Sequence, residues 1–333
     1  MALTKTTEQS RALALALALT ACAASQKPAP PAPPPPPLHQ GPLSDYVAAA
    51  GLRWMLVGNP KKVAENPAFR DAISVLLPPE RVDGFAAGSG VDLRTVNSAL
   101  VAGFDFGTLY AVEPNAGSVP RIVSRFRDRI VSGERRHLPH PFVERITGII
   151  GTTPETLVRV DQRLIAIAVG DPTPARVVEA FARKKLQTSP TALRGAALST
   201  LDPPPAGSVA TFYAPGPFSG EWAHGARGLF ADALALSISV VPLDAGRARF
   251  VVQIAGDFPA SGADELTRAL SDLAESPMGK LLGLDQSTTP PLVRERAHSL
   301  WLDTELELGP IARGLHAAVA ADVWEIMDMS APK

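Results

Sequence analysis

The chain has 333 residues, of which 46% are apolar and 20% charged, a composition that excludes a disordered protein and allows a large buried core. Its formal net charge of −1 excludes the cationic excess on which nucleic-acid binding depends. A single cysteine excludes disulfides within the chain and thiolate metal clusters, because both need at least two thiols. Proline, at 33 residues, is over-represented.

The first residues have the layout of a secretory signal. Lys5 and Arg11 precede an uncharged alternation of alanine and leucine that runs from Ala12 to Leu19. At ~1.5 Å per residue such a short helix cannot cross a hydrocarbon core of about 30 Å. The segment therefore predicts a targeting signal rather than a transmembrane helix.

Leu19-Thr20-Ala21-Cys22 resembles the lipobox of bacterial lipoproteins. The resemblance implies cleavage before Cys22, a diacylglyceryl group on its sulfur and acylation of the new amine, as by palmitate. Three acyl chains exceed the two-signal threshold for stable anchoring, so the implied partner is the membrane. Ala23 and Ala24 follow with no aspartate beside the cysteine, a pattern that favours sorting to the outer membrane. The alternative is an ordinary signal peptide and a free thiol at Cys22.

Proline marks the organisation of the rest of the chain. The run Pro28–Pro37 favours a polyproline II stalk, which at ~3.1 Å per residue spans about 31 Å. A second cluster, Asp202-Pro-Pro-Pro-Ala206, lies between patterned segments and predicts a linker. The predicted organisation is a signal peptide over 1–21, a lipidated stalk over 22–43, a lobe over 44–201, a linker over 202–206 and a second lobe over 207–333.

Both lobes repeat one pattern of a strand, a Gly-Asp turn and a helix. It appears at Gly170-Asp171 and at Gly256-Asp257, and a further strand precedes each copy through a joint with hairpin chemistry. Weaker copies begin near Trp54, Thr108, Val209 and Leu300. The sequence therefore predicts an α+β protein of two lobes, each with a largely antiparallel sheet and helices on one face.

Three further helices are predicted. Asp92 has the position of an N-cap for a helix over 93–101, and Ile122 and Phe126 begin an apolar stripe that continues to Ile130. A C-terminal helix is predicted to pack inward through a stripe of five apolar residues, Ile311, Leu315, Val319, Val323 and Ile326.

The segment from Arg121 to Arg136 holds the main cluster of positive charge. With the apolar stripe facing the core, Arg125, Arg129 and Arg136 form a candidate surface for an anionic partner, such as a lipid headgroup, a polysaccharide or an acidic protein. The alternative is a solvated helix face.

No catalytic or metal-binding set emerges from the motifs. Gly88-Ser89-Gly90 lacks the glycine spacing of a nucleophile elbow and is interpreted as a turn. His137 and His140 are separated by Pro139, which favours a surface loop over a metal site. Glu221 and His224 lack the second copy that a carboxylate-bridged metal pair needs. Asp171 and Asp257 are interpreted as turn and cap residues, and no cofactor is expected.

The resulting hypothesis is a non-enzymatic lipoprotein of the cell envelope, a binding or scaffolding module on a stalk with an envelope protein or polysaccharide as partner. One alternative is an envelope hydrolase with a site between the lobes, which would need a cleft with perturbed titratable groups. Another is a carrier of a lipid or other apolar ligand, which would need a concave apolar pocket.

Overall fold

The computed structural model describes residues 34–115, 117–220, 225–244, 246–286 and 290–317. The signal segment with its lipobox, the pair Glu221 and His224, and the stripe positions Val319, Val323 and Ile326 lie outside the described residues. The chain divides into two units, Met1–Pro36 and Pro37–Lys333, and the elements below belong to the second. Among the described residues, no helix is long and apolar enough to cross a membrane.

The second unit contains twelve strands in one antiparallel sheet. In chain order they are β1 Leu52–Gly58, β2 Ser98–Phe104, β3 Gly107–Glu113, β4 Ser132–His140, β5 Val143–Ile150, β6 Thr153–Val160, β7 Leu164–Gly170, β8 Ala210–Pro215, β9 Ala233–Pro242, β10 Arg247–Gly256, β11 Leu292–Arg296 and β12 Ser299–Glu307. Their order across the sheet is β11-β12-β10-β9-β8-β1-β2-β3-β7-β6-β5-β4.

Seven α-helices of the described residues lie between these strands in the chain, and one follows the last strand. They are α1 Pro60–Glu65, α2 Arg70–Leu76, α3 Pro79–Ser89, α4 Val119–Asp128, α5 Thr173–Ala182, α6 Gly262–Glu275, α7 Pro277–Leu281 and α8, which begins at 308 and is described to 317. The predicted α+β class with a large antiparallel sheet is confirmed.

The sheet runs unbroken across the predicted linker. β1 pairs with β8, with Met55 opposite Tyr213, so strands from both sides of the 202–206 segment are neighbours. In that segment the backbone N–H of Asp202 donates to the side chain of Gln253 in β10, at 3.0 Å. The division into two lobes of repeated units stays a prediction.

Side chains alternate between two faces of the sheet, here called the Met55 face and the Leu56 face. On the Met55 face, α5 contributes Val178 to a core cluster that includes Met55 and Val158. On the Leu56 face, Ile122 of α4 packs with strand residues of β5 and β6. Helices therefore cover both faces, and the prediction of helices on one face was wrong.

The Leu56 face has three separate covers. α4 lies over β5 to β7 with Phe126, and α6 lies over β9, β10 and β12 with Leu266. In the third cover, Ala72 of α2 and Ala312 of α8 pack with Ala248 of β10. On the central strands β1 and β3, Leu56 and Tyr110 stay partly exposed.

Several local predictions are confirmed. The hairpins β6–β7 and β9–β10 form as expected, and Asp161 takes a positive φ of 52° in the first turn. Asp171 accepts a hydrogen bond from the Thr173 N–H at 2.6 Å at the start of α5, as a turn and cap residue does. Ile122 and Phe126 are each 2% exposed, as the stripe in α4 predicted.

The predicted helix over 93–101 was wrong. Asp92 does cap a helical turn, accepting from the Arg94 N–H at 3.0 Å, but the turn ends at Thr95 and β2 begins at Ser98. β2 pairs with β1 on one side and β3 on the other, so its backbone groups are satisfied by two neighbouring strands. Pairing with distant residues outweighs the local helical signal.

Two other expectations need correction. His137 and His140 lie in the edge strand β4 rather than in a loop. In α8 the buried positions include Leu308 and Ala312, whereas Leu315 is 38% exposed. The helix begins before Pro310, and its buried face includes Leu308 and Ala312 in place of the predicted Ile311 and Leu315.

Candidate binding sites

One row of directly opposed residues crosses the Leu56 face of the sheet and is almost wholly apolar. From β11 to β5 it consists of Val293, Leu302, Val252, Ile238, Phe212, Leu56, Val101, Tyr110, Ile167, Leu157 and Ile146. The covered parts of this row are closed, since Leu302 is 5% exposed and Leu157 and Ile146 are 0% exposed. In the middle, Leu56 is 41% and Tyr110 38% exposed. The centre of the sheet therefore keeps an open apolar surface.

We call the open part of this face the central strip and define it by Trp54, Leu56, Val101, Tyr110 and Phe212. The rings of Trp54 and Phe212 stack with centroids 6.3 Å apart and an interplanar angle of 22°. Gly103 lies opposite Trp54 in β2, and a Cβ there would overlap the indole. Glycine thus lets the Trp54 ring lie flat across the neighbouring strand.

A pocket of about 250 Å³ opens beside the central strip, between the sheet and the α1–α3 segment. Its floor includes Leu56, Val101 and Ala210, and its cover includes Val63, Ile73 and Val82. Apart from Asn59 and Arg94, the lining residues are apolar, so the pocket suits a hydrocarbon group better than a polar or charged one.

The cover of the pocket packs lightly on the sheet. Residues 60–89, all of which the structure describes, bury Ala68, Phe69, Ala72 and Val82. By contrast, α5 buries six residues. Few buried contacts make a segment easier to displace, so this cover can open at lower cost than α5.

Arg94 joins the cover to the loop before β2. Its guanidinium lies 2.8 Å from Asp83 of α3 and 2.9 Å from Asp92. The hydrogen bond from the Arg94 side chain is the main reason that the pKa of Asp92 is lowered. The bridge is exposed, so it guides the position of α3 more than it stabilises the fold.

The structure separates the three arginines of the predicted anionic-partner surface by their contacts. Arg125 is exposed on α4, and no described residue forms an ion pair with it. Arg129 lies 3.5 Å from Glu155, which is 3% exposed, and Arg136 bonds Glu144, which is 4% exposed. Arg129 and Arg136 therefore compensate buried carboxylates.

A polar groove of about 530 Å³ lies between α4 and the strands β4 to β6. Within it the Arg127 side chain donates to Glu134 at 2.8 Å, and Arg159 donates to Glu144 at 3.0 Å. Each of these cations has a carboxylate partner, so neither is left free to bind an anion.

Two titratable groups are perturbed where α4 meets the sheet. Burial raises the pKa of the Glu155 carboxyl, and the nearby Arg129 offsets only part of that effect. Burial also raises the pKa of Tyr110, with the Glu155 charge as a second cause. The surroundings of Glu155 therefore favour the protonated, uncharged form of its carboxyl group.

Among the residues considered for catalysis, Asp257 has a histidine partner. Asp257 contacts the Nδ1 atom of His298 at 2.5 Å, a pair that the sequence did not predict because the β11–β12 turn brings His298 to it. The two side chains are 86% and 81% exposed, and they line an open groove of about 530 Å³ together with Gln253 and Arg296. The adjacent Ser299 Oγ accepts from Trp301 at 3.1 Å. Within the described residues, no group of three side chains suits a metal ion.

The similarity to known proteins is structural. No protein-family model matches the chain, and no curated protein matches it. Among solved structures, crystal form IV of TP0453 is similar at 9% sequence identity and a TM-score of 0.43, over 82% of this chain and 96% of that one.

Proposed function

We propose that this protein is a lipid-anchored binding protein of the cell envelope whose ligand is apolar. The observation that carries the proposal is the pocket beneath α1–α3, which continues into the central strip on the most interior strands of the sheet. Exposed apolar surface costs roughly 25 cal/mol per Å², and a hydrocarbon ligand would remove that cost. Of the alternatives open at the sequence level, an apolar carrier fits this surface better than a hydrolase does.

The proposal includes the anchor and the location. A diacylglyceryl group on Cys22 and a proline-rich stalk would hold the binding domain in the envelope, at the outer membrane, where free lipids and lipid-like compounds occur. A scaffold role remains compatible with the anchor, but it gives no reason for an apolar pocket.

The two predicted lobes enter the proposal through the position of the pocket. Leu56 comes from the 44–201 part of the chain and Ala210 from the 207–333 part, and β1 and β8 are paired there. We propose that the repeated units form two halves of one sheet and that the ligand contacts both halves where they meet.

The test is ligand binding by a variant with a filled pocket. The chain carrying Cys22→Ala, which on the lipoprotein hypothesis needs no detergent, is titrated with a dansyl-labelled undecanoic acid and followed by fluorescence. Val101→Trp places an indole over the floor of the pocket, and we expect it to weaken binding by about ten-fold, or ~1.4 kcal/mol. Val131→Trp is the matched control, because Val131 is 68% exposed and does not line the pocket.

Saturable binding that Val101→Trp weakens and Val131→Trp leaves unchanged would support the proposal. The absence of saturable binding, or equal binding by both variants, would contradict it. Circular dichroism of each variant checks that the sheet is intact.

A further inference from the structure

The strand β4 is one edge of the sheet, and among the described strands it pairs only with β5. Residues Ser132–Leu138 are exposed. An edge strand presents backbone N–H and C=O groups without partners, which another extended chain can pair with. Strand addition of this kind is a common mode of peptide recognition.

The strand β4 has features that protect an edge from pairing, but it also has exposed apolar side chains that such protection does not require. Register shifts in the β4–β5 ladder and Pro139 are protective devices. Protection does not explain three strongly exposed apolar residues at the same edge, Val131 at 68%, Leu138 at 55% and Phe142 at 49%. Of these residues, Phe142 together with the nearby arginines matches the enrichment of aromatic residues and arginine at protein interfaces.

The charge of this region is positive although the chain is slightly acidic. Residues 121–136 contain six arginines, of which Arg127, Arg129 and Arg136 are paired with Glu134, Glu155 and Glu144. The other three, Arg121, Arg125 and Arg135, outnumber Asp128 by 3 − 1 = 2, whereas the whole chain has a net charge of −1. Arg135 is exposed, and no described side chain forms an ion pair with it. Arg135 lies opposite Thr147 and Arg136 opposite Ile146, so the two guanidinium groups lie on opposite faces of β4.

We propose that β4 binds an extended acidic segment of another protein by strand addition. The backbone of the segment pairs with the free edge of β4. An acidic residue of the segment then faces Arg135, while apolar neighbours cover Leu138 and Phe142. The surface is separate from the apolar pocket and does not depend on its ligand.

The experiment uses the full chain in phosphatidylcholine vesicles and a fluorescein-labelled peptide, Ser-Val-Thr-Val-Glu-Glu-Val-Thr-Val-Ser, measured by fluorescence anisotropy. We expect saturable binding that Arg135→Glu weakens by about ten-fold, because a favourable cross-strand charge pair becomes a repulsive one. Arg294→Glu, an exposed position in the opposite edge strand β11, is the matched control and leaves binding unchanged. Leu138→Ser is a second variant at β4 and also weakens binding.

Backbone pairing is tested with two complementary N-methylated peptides, each methylated at every second residue. A peptide strand has only one set of N–H groups facing β4, so one N-methylated peptide loses binding and the other keeps it. Equal binding of the two, equal binding of a peptide with Lys-Lys at the centre, or no saturable binding would overturn the proposal. Competition by anionic vesicles or by a soluble acidic polysaccharide with no effect of N-methylation would also overturn it, since the surface would then respond to charge alone.

Discussion

Two leucines in one row of the sheet offer a direct test of the open centre of the Leu56 face. Leu157 of β6 and Leu56 of β1 point to the same face, and both have apolar neighbours in the adjacent strands. Leu157 is 0% exposed beneath α4, and Leu56 is 41% exposed. The perturbation is truncation of each leucine to alanine.

The expected magnitudes follow from the difference in cover. Leu157→Ala leaves an enclosed cavity among Ile122, Phe126 and Ile146, and such truncations cost about 2–5 kcal/mol of unfolding free energy. Fully burying a leucine is worth ~1.5–3 kcal/mol, and Leu56 is only partly buried and leaves no closed cavity. We therefore expect Leu56→Ala to cost about 1 kcal/mol. Ligand affinity should show the opposite order: Leu56→Ala should weaken binding more than Leu157→Ala, because Leu56 lines the pocket and Leu157 does not.

The assay is urea denaturation of both variants, paired with titration of the dansyl-labelled fatty acid. Leu157→Ala should be the less stable variant with ligand affinity close to that of the unmodified chain, and Leu56→Ala should be nearly as stable with weakened binding. Equal losses of stability would refute the reasoning, because they would mean that Leu56 is as fully covered as Leu157. A binding defect confined to Leu157→Ala would refute the location of the pocket.

Three further predictions concern the anchor, a buried carboxyl and the pocket cover. Cys22→Ala should move the protein from the membrane fraction to the soluble fraction and remove the acyl mass; unchanged fractionation would argue against the lipoprotein hypothesis. Because burial raises the pKa of Glu155 above 4.5, the folded state holds its proton more tightly than the unfolded state, so stability should fall as pH rises from about 4.5 through the raised pKa. Glu155→Gln should remove that part of the slope in urea denaturation between about pH 4.5 and pH 8, and an unaltered slope would assign it to other groups. Asp83→Asn breaks the exposed ion pair with Arg94 and should lower the unfolding free energy by less than about 1 kcal/mol. It should nevertheless speed hydrogen exchange in α3 and the association of the dansyl-labelled fatty acid. Unchanged exchange would show that the ion pair does not hold the cover.

Local chemistry along the chain determined the helix α4 and the hairpins. The stripe of Ile122 and Phe126 predicts one buried helix face from residues four apart, and both side chains are 2% exposed. The Asp161 turn and the Asp171 cap depend on residues within a few positions of each other. The lipobox resemblance at Cys22 is also local, and the anchor that it implies is a prediction from sequence alone.

Tertiary structure decided the features that depend on distant residues. The 93–101 segment has a capped turn like a helix, but pairing with β1 and β3 makes most of it a strand, and a tract around His137 becomes an edge strand because β5 pairs with it. The pocket joins Leu56, Val101 and Ala210, which a sequence pattern cannot bring together because their proximity follows from strand order. Sequence patterns report which side chains share a face of one element. Which strands become neighbours, and which part of a face is left uncovered, depends on contacts that form only when the whole sheet is assembled.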